Sequence, residues 1–346
     1  MNSFSAEILR WFRENSRDLP WRETRDPYAI WLSEIILQQT RIAQGWEYWE
    51  RFMQTYPKVE DLAAASEDDV LKLWQGLGYY SRARNLHTAA KQIVALGAFP
   101  NTLEGIKSLK GVGDYTAAAI GSFAFDIPAA VVDGNVYRVL SRYFGIDTPV
   151  NSTQGKKEFA ALAQSLLPAS DAASYNQGMM DFGAIQCTPQ SPKCLLCPLA
   201  ETCEALRCGR VEELPVKNKT VKVKTRHLSY IYIRCKSSAA DGTGISEPMV
   251  AIHRRGEGDI WQGLWEPYNV SDVKELPSFV KNPILLAKDV KHVLTHRILL
   301  ADFYLLETES RPQLPDDYIW IRESEIEDYG VPRLIEIMLE KINSAE

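Results

Sequence analysis

The sequence lacks the segments that direct a protein into or across a membrane. It contains no run of about 18 consecutive apolar residues, the length that a transmembrane helix needs. Residues 1–10 lack a basic region followed by an apolar core, so we expect no signal peptide. These two absences predict a cytoplasmic protein.

The sequence also lacks an excess of positive charge. Its 39 Lys and Arg residues are outnumbered by 45 Asp and Glu residues, which argues against nucleic-acid binding through bulk charge. Residues 1–227 carry 26 basic and 25 acidic side chains, whereas residues 228–346 carry 13 and 20. This break predicts a domain boundary near residue 227. The basic stretch before it is either a solvated linker or a strap that contacts an anion.

Cysteine is scarce, yet four of the six cysteines lie within seventeen residues in the pattern C-x6-C-x2-C-x5-C. Without a secretion signal, metal binding explains them better than disulfides. Zinc ribbons usually have two close cysteine pairs, and here there is one close pair with a single cysteine on either side. The pattern favours a [4Fe-4S] cluster, with coincidental buried thiols as the alternative. The four residues are Cys187, Cys194, Cys197 and Cys203.

Apolar spacing divides the chain into two structural classes. From about residue 4 to residue 185 the spacing is helical and predicts about ten short helices without a convincing strand. After the cysteines, residues 228–234, 250–253 and 298–306 have the pattern of strands, and residues 333–342 that of an amphipathic helix. The chain is therefore predicted to combine an all-α part with an α+β part.

Two carboxylates and one turn are candidates for chemistry. Glu34 lies on the apolar face of a predicted helix, where burial raises the pKa of a carboxyl and favours a general acid. The alternative to a general acid is that Glu34 lies at the rim of the apolar face, or that another side chain pairs with it. The turn at 109–113 can present backbone N–H groups to an anion, or can simply join two helices. Asp133 precedes another helix and can equally be its N-cap.

These motifs together resemble a known family. L-K-G-V-G-D-Y-T-A at 109–117, V-D-G-N at 132–135 and the cysteine pattern are similar to the helix-hairpin-helix DNA glycosylase superfamily related to endonuclease III. W-L-S-E-I-I-L-Q-Q-T at 31–40 and the motif at 74–87 narrow the resemblance to the adenine DNA glycosylase (MutY) family. The resemblance runs from about residue 4 to residue 203 and continues more weakly beyond.

The resemblance implies the domain organisation. Residues 1–212 would form a helical glycosylase core, with a six-helix barrel at about 24–133 and an iron–sulfur domain made from the N-terminal helix and residues 134–212. Residues 213–227 would be a basic linker. Residues 228–346 would form a MutT-like (Nudix-fold) α+β domain that recognises 8-oxoguanine. The Glu-rich R-E-x2-E-E helix of nucleotide pyrophosphatases is absent, so no hydrolase activity is expected there.

The resemblance also implies a reaction, the excision of adenine mispaired with 8-oxoguanine or guanine in duplex DNA. Glu34 would protonate adenine at N7, and Asp133 would stabilise the sugar cation or form a transient covalent bond to it. Asn135 and Tyr115 would position Asp133 and the sugar. Tyr115 stands where bifunctional relatives carry a Schiff-base lysine, which implies a monofunctional enzyme. A glycosylase with lyase activity and a non-catalytic cluster-containing DNA-binding module remain the alternatives.

The remaining implied residues contact DNA, and a monomer is expected, associated with the nucleoid if the source is bacterial. In the place of the family's Phe-Ser-His the chain has Leu294-Thr295-His296, so the stacking aromatic is missing and the hydroxyl and imidazole remain. A strand-end pair that only caps its own loop is the alternative for these two polar groups. The implied contacts are Gln39, Leu77 and Tyr80 as wedges, Thr40, Thr295 and His296 on the opposite base, Gly111 and Gly113 in the hairpin, and Arg17, Trp21, Arg22 and Asp181 in the adenine pocket.

Overall fold

The computed structural model describes residues 3–218, 223–236, 247–271 and 276–345. Parts of the predicted basic linker (219–222) and of the loop between the first two predicted strands (237–246) lie outside the described residues. The chain divides into two compact units, one of residues 1–64 and 85–219 and one of residues 65–84 and 220–346. The division at 219 and 220 falls inside the predicted linker. The placement of 65–84 in the second unit was not predicted.

The first unit is helical. Its N-terminal helix packs against a later helix near residue 175, and this contact buries Ile8, Tyr175 and Phe182 in one core. The helices are α1 (Ser3–Asn15), α2 (Pro27–Ile36), α3 (Ile42–Thr55), α4 (Val59–Ala64), most of α6 (Ser81–Leu96), α7 (Leu103–Lys107), α8 (Asp114–Phe125), α9 (Gly134–Phe144), α10 (Thr153–Leu166), α11 (Ala172–Asp181) and α12 (Glu204–Arg207). The predicted all-helical class of this part is confirmed.

Helix α2 shows how local sequence places the central carboxyl. Asp26 caps the helix by accepting the N–H of Tyr28, and Pro27 occupies the first helical position, where its missing N–H costs nothing. The nine residues that follow Pro27 in α2 are all buried. The helix ends before a turn in which Gln39 adopts a left-handed φ of 60°. Glu34 is therefore held inside the unit, and Gln39 is exposed just beyond the helix.

The second unit is a six-stranded sheet with helices. Its strands are β1 (Lys224–Cys235), β2 (Met249–Arg254), β3 (Trp265–Ser271), β4 (Ile284–Val293), β5 (Arg297–Thr308) and β6 (Tyr318–Arg322), in the order β4-β5-β1-β3-β2-β6. Only the pairing of β1 with β5 is parallel among the described pairings. Tyr230 and Phe303 of the sheet pack with Leu334 and Met338 of α13 (Arg333–Ala345) in the core. Residues 65–84 contribute α5 (Glu67–Leu73), which Ser66 caps by accepting the N–H of Asp69.

The strands that the sequence predicts are confirmed as β1, β2 and β5, and the terminal helix as α13. Strands β3, β4 and β6 were missed. β4 lies at the sheet edge and is mostly exposed, so its apolar residues do not alternate with its polar ones. None of the helices in the described ranges has the length and apolar character that crossing a bilayer requires.

Candidate active site and cysteine loop

A cavity of about 200 Å³ in the first unit is lined by all four predicted catalytic residues and by three of the four residues predicted for the adenine pocket. It lies among α2, α8, α9 and α11 and receives two carboxyls, two guanidinium groups and several apolar side chains. Trp21 in its wall is fixed by edge-on contacts with Trp46 and Trp49 at 5.9 and 5.8 Å between ring centroids. Of the predicted residues, those that line it are Arg17, Trp21, Arg22, Glu34, Thr40, Tyr115, Asp133 and Asn135.

Glu34 is buried in this cavity with only 6% of its surface exposed. The hydroxyl of Tyr115 donates a hydrogen bond to Glu34 Oε2 at 2.7 Å. The pKa of Glu34 is raised to about 7, chiefly by burial and to a smaller extent by the negative charge of Asp133, while the Tyr115 hydrogen bond and Arg22 oppose the rise. A carboxyl with a pKa near 7 is protonated in a large fraction of the molecules at neutral pH, so it can act as a general acid.

Asp133 is placed both to cap a helix and to face the cavity. Its Oδ1 accepts the N–H of Val136 at 2.8 Å, so it is the N-cap of α9, and its carboxylate also lines the cavity. Oδ2 accepts from Asn135 Nδ2 at 2.7 Å. Burial raises the pKa of Asp133, whereas these donors and Arg138 favour its ionised form. The two carboxyls therefore have different surroundings, because Glu34 has one donor and Asp133 has several.

Arg138 is a site residue that the sequence did not reveal. Its Nη2 donates to Asn135 Oδ1 at 2.8 Å, and its Nε donates to the backbone carbonyl of Cys187 at 2.7 Å. A continuous set of hydrogen bonds thus joins Asp133 to the first cysteine of the loop. The sequence shows only that Arg138 lies in the helix that follows Asp133, and the structure adds that it is buried.

Asp181 does not line the cavity, contrary to its predicted place in the adenine pocket. It is fully buried behind the cavity, where its carboxylate accepts from Arg17 Nε at 2.7 Å and from both terminal nitrogens of Arg22 at 2.8 Å. These donors hold the pKa of Asp181 below its usual value. The polar residue of α11 that does line the cavity is Gln177. It lies four residues before Asp181, on the same face of the helix, and this spacing was the signal in the sequence that could have pointed to Gln177.

The hairpin has the geometry that its glycines predict. Gly111 adopts a left-handed φ of 79°, and a Cβ there would lie 2.7 Å from Asn85 Cβ. Gly113 is the residue before α8, so the free N–H groups of that helix point outward at its start. Gln39 and Thr40 follow α2, and Thr40 lines the cavity.

In the second unit, Leu77 and Tyr80 are not exposed as side chains that insert into the base stack would have to be. Leu77 is 8% exposed and Tyr80 is 7% exposed, because both side chains pack inward. The exposed aromatic of this turn is Tyr79, which has 50% of its surface accessible and a left-handed φ of 49°. Its hydroxyl lies 2.7 Å from Thr295 Oγ1, so the structure joins this turn to the exposed pair Thr295 and His296.

The four clustered cysteines surround one small cavity as free, partly buried thiols. No three ligating side chains among the described residues meet at the spacing of a single metal ion. Arg142 borders the cavity and donates to Cys187 Sγ at 3.4 Å and to the carbonyl of Thr188 at 2.7 Å. Four thiols around a common space with a donor to sulfur fit an iron–sulfur cluster, which needs four thiolates and is stabilised by N–H contacts to sulfur.

Models of known protein families match three parts of the chain. Residues 32–169 match the HhH-GPD superfamily of base excision DNA repair proteins, residues 187–203 the iron–sulfur binding domain of endonuclease III, and residues 245–341 the NUDIX domain. The predicted fold class and [4Fe-4S] cofactor are thereby confirmed. With the buried carboxyls and the glycine hairpin, these matches define a helix-hairpin-helix base excision repair protein that carries an iron–sulfur domain.

Curated relatives narrow this class. An adenine DNA glycosylase of Buchnera aphidicola from Schizaphis graminum is 30% identical over 355 residues, which cover 97% of this chain and 98% of that protein. The chain belongs to the adenine DNA glycosylase family, as the resemblance predicted. The mouse adenine DNA glycosylase is 42% identical over 229 residues, or 62% of this chain and 44% of that protein. The match thus spans less than half the length of the mouse relative.

Solved structures share the helical fold. A thermostable thymine-DNA glycosylase aligns with a TM-score of 0.56 at 35% identity, covering 59% of this chain and 95% of that chain. An endonuclease III trapped in a covalent complex with DNA aligns with a TM-score of 0.52 at 24% identity, covering 59% and 94%. The second likeness concerns the fold alone.

Proposed function

We propose that this chain is a monofunctional DNA glycosylase that flips adenine out of an A:8-oxoguanine or A:G mispair and releases it by hydrolysis. The observation that carries the proposal is Glu34, a buried carboxyl with a pKa of about 7 that shares a cavity with the differently solvated Asp133. Family membership supports adenine as the base, and the geometry supports the chemistry.

The cleavage of an N-glycosidic bond needs a proton on the leaving base and a counter-charge for the sugar cation. Glu34 lines the cavity and supplies the proton, and Tyr115 holds its carboxyl by a hydrogen bond to Oε2. Asp133 supplies the charge, since its hydrogen bonds from Val136 and Asn135 favour the carboxylate. Either electrostatic stabilisation or a transient bond to the sugar fits this position.

The absence of an amine near these groups supports a monofunctional reaction. A lyase step requires a lysine that forms a Schiff base with the sugar. None of the residues that line the cavity within the described chain is a lysine, and Tyr115 occupies the helix start. Water is then the acceptor, and the products are free adenine and an abasic site.

The adenine pocket is formed by the cavity walls. Trp21, Arg17 and Arg22 line the cavity, and Gln177 offers an amide that can donate and accept along the edge of a purine. Asp181 acts behind them by fixing both arginines. The adenine must leave the stack to reach this pocket, which the enzyme accomplishes by base flipping.

Several exposed groups are placed for DNA contact. Gln39 and Thr40 follow α2, and the hairpin at Gly111 and Gly113 offers N–H groups to a phosphate. Tyr79 replaces Tyr80 as the residue that we propose to insert between bases, because it is the exposed ring. Thr295 and His296 contact the opposite base. The enzyme acts as a monomer on duplex DNA.

The [4Fe-4S] cluster would be held by Cys187, Cys194, Cys197 and Cys203. When bound, it supplies a rigid core for residues 187–203 and no step of base release. The chain's own residues link this loop to the site through Arg138 and Asn135. Exposed cations beside the loop, such as Lys193 and Arg207, can contact phosphates.

Strand cleavage with and without alkali tests the proposal. The full chain is incubated with a duplex that contains one A:8-oxoguanine pair, and one half of each sample is treated with alkali. We expect nicks at the adenine only after alkali, because the abasic site is stable until then. Nicks without alkali would indicate a bifunctional lyase, and no nicks under either condition would indicate a binding module. A parallel T:G duplex tests whether the chain acts like its thymine-specific neighbour.

A further inference from the structure

The segment 65–84 is held in the second unit by polar contacts with several separate stretches of the C-terminal domain. Gln75 contributes two of them. Its Oε1 accepts the N–H of Val331 at 3.2 Å, and its Nε2 donates to Glu336 Oε1. Lys72 Nζ donates to the carbonyl of Tyr329 at 3.3 Å. The end of α5 is thus bound to the stretch that leads into α13.

A second stretch, around residues 254–263, holds the two ends of the segment. Arg84 donates to the carbonyl of Gln262 at 2.6 Å and to its Oε1 at 3.3 Å. Arg254 pairs with Glu67 at 2.8 Å and with Asp68 at 3.1 Å. The ion pairs of Arg254 are well exposed and therefore contribute little. The contacts of Gln75 and Arg84 are partly buried and carry more of the attachment.

The turn at residues 76–79, between these contacts, contains three residues with a left-handed backbone conformation. Gly76, Gly78 and Tyr79 have left-handed φ values of 97°, 70° and 49°. Trp74 Nε1 closes the turn by donating to the carbonyl of Gly78 at 3.0 Å. A tyrosine at positive φ persists only where its surroundings determine it. These contacts within the turn determine its shape, and Gln75, which directly precedes it, is the nearest residue that bonds it to the stretch before α13.

We propose that Gln75 is the positioning residue that sets the turn of residues 76–80, and with it Tyr79, beside Thr295. The inference rests on the proposed function, because Tyr79 and Thr295 are there taken to read the DNA. Gln75 touches no base. It acts through the turn, by fixing residues 76–80 to the same body that carries Thr295.

An exchange of side chains between Gln75 and Glu336 tests this. Gln75→Glu places two carboxylates against each other and removes the donor to Glu336. The matched control, Glu336→Gln, keeps an amide oxygen that can accept from Gln75, although it loses the exposed ion pair with Arg333. The double variant Gln75→Glu with Glu336→Gln restores a hydrogen bond with the roles reversed. All four proteins are full chains, checked for folding by circular dichroism.

Two readouts are taken. One is the ratio of single-turnover base release from A:8-oxoguanine to that from A:G, and the other is hydrogen exchange at the amides of residues 76–80. We expect Gln75→Glu to lower the ratio about fivefold or more and to speed exchange, since a buried hydrogen bond is lost. The control and the double variant should match the parent. Release from A:G should fall less than release from A:8-oxoguanine in Gln75→Glu.

The proposal is overturned if Gln75→Glu keeps the parental ratio and exchange, or if the double variant recovers neither. A parent that releases no base would refute the proposed function instead, and hydrogen exchange would still decide whether Gln75 fixes the turn. Loss of release from both mispairs to the same extent would mean that Gln75 has only a general structural role, which also contradicts the proposal.

Discussion

At the scale of single residues, the raised pKa of Glu34 comes from its burial, because a buried site disfavours the ionised form of a carboxyl. It stands in an α2 helix whose other buried residues are mostly apolar, and its only hydrogen-bond donor in the described site is Tyr115. Desolvation therefore outweighs the effects that favour ionisation, and the pKa rises to about 7. The fold alone therefore gives Glu34 the pKa that the proposed general acid needs, before any DNA binds.

We predict that Glu34→Gln abolishes base release while binding to the mispair persists. The amide keeps the shape of the side chain but has no acidic proton, and general acid catalysis contributes roughly 10²–10⁴-fold. Single-turnover release and electrophoretic mobility shift are measured on the same duplex. Retention of more than about a tenth of the parental rate would contradict the assignment.

The pKa of Glu34 also predicts the alkaline side of the pH profile. Release requires the protonated form, so the single-turnover rate should fall as the pH rises through about 7. Asp133 must be ionised, so its raised pKa should reduce the rate at the acid end. The profile is measured for the parent, with DNA binding followed at each pH as the control. A rate that keeps rising well above pH 8 would rule out Glu34 as the acid.

Sequence reasoning could find some of these residues and not others, for physical reasons. Glu34 was found because helical spacing alone places it on an apolar face. Asp181 was misplaced because the sequence does not show which side of α11 meets Arg17 and Arg22. Tyr80 was chosen over Tyr79 because the choice depends on a left-handed backbone at Tyr79, which two adjacent tyrosines do not reveal.

At the scale of elements, caps and hairpins were the most predictable features. Asp133 caps α9, which is one of the alternatives that the sequence offers, and Gly113 precedes α8 as the hairpin predicts. Strands were less predictable. β6 pairs with β2, about 70 residues earlier in the chain, and β4 is mostly exposed although its partner β5 follows it directly. Local pattern determines a helix, whereas a strand is determined by its partner.

The cysteine loop yields a prediction at this scale. The purified protein should be yellow-brown and contain about four irons per chain, because one thiolate binds each iron of a [4Fe-4S] cluster. Elemental analysis measures this, and a Cys208→Ser variant serves as the control, since that cysteine lies outside the predicted set. One zinc and no iron would contradict the cluster and favour a zinc module.

At the scale of the whole molecule, the sequence indicates a boundary near 227 but not the composition of each unit. The acidic C-terminal part and the basic stretch before it mark where one unit ends, and the division at 219 and 220 agrees with them. The sequence could not show that residues 65–84 belong to the second unit, because this depends on contacts such as that of Arg84 with Gln262, which is 178 positions away in the chain.

The C-terminal domain yields a prediction about discrimination. An acidic domain cannot add affinity through bulk charge, so its contribution must come from directed contacts such as those of Thr295 and His296. The double change Thr295→Ala with His296→Ala should lower the preference for A:8-oxoguanine over A:G by about tenfold, as expected for unpaired polar groups at a reading site. The A:G rate should stay nearly unchanged. If the double variant discriminates like the parent, the contact lies elsewhere in the domain.

The central claim is that the two units together make an adenine glycosylase that acts on the mispair. The most direct test is the single-turnover release of free base, identified by chromatography, from duplexes that differ only in the residue opposite adenine. The account predicts free adenine from A:8-oxoguanine, slower release from A:G and none from A:T. Equal release of adenine from A:T, or release of a base other than adenine, would contradict it.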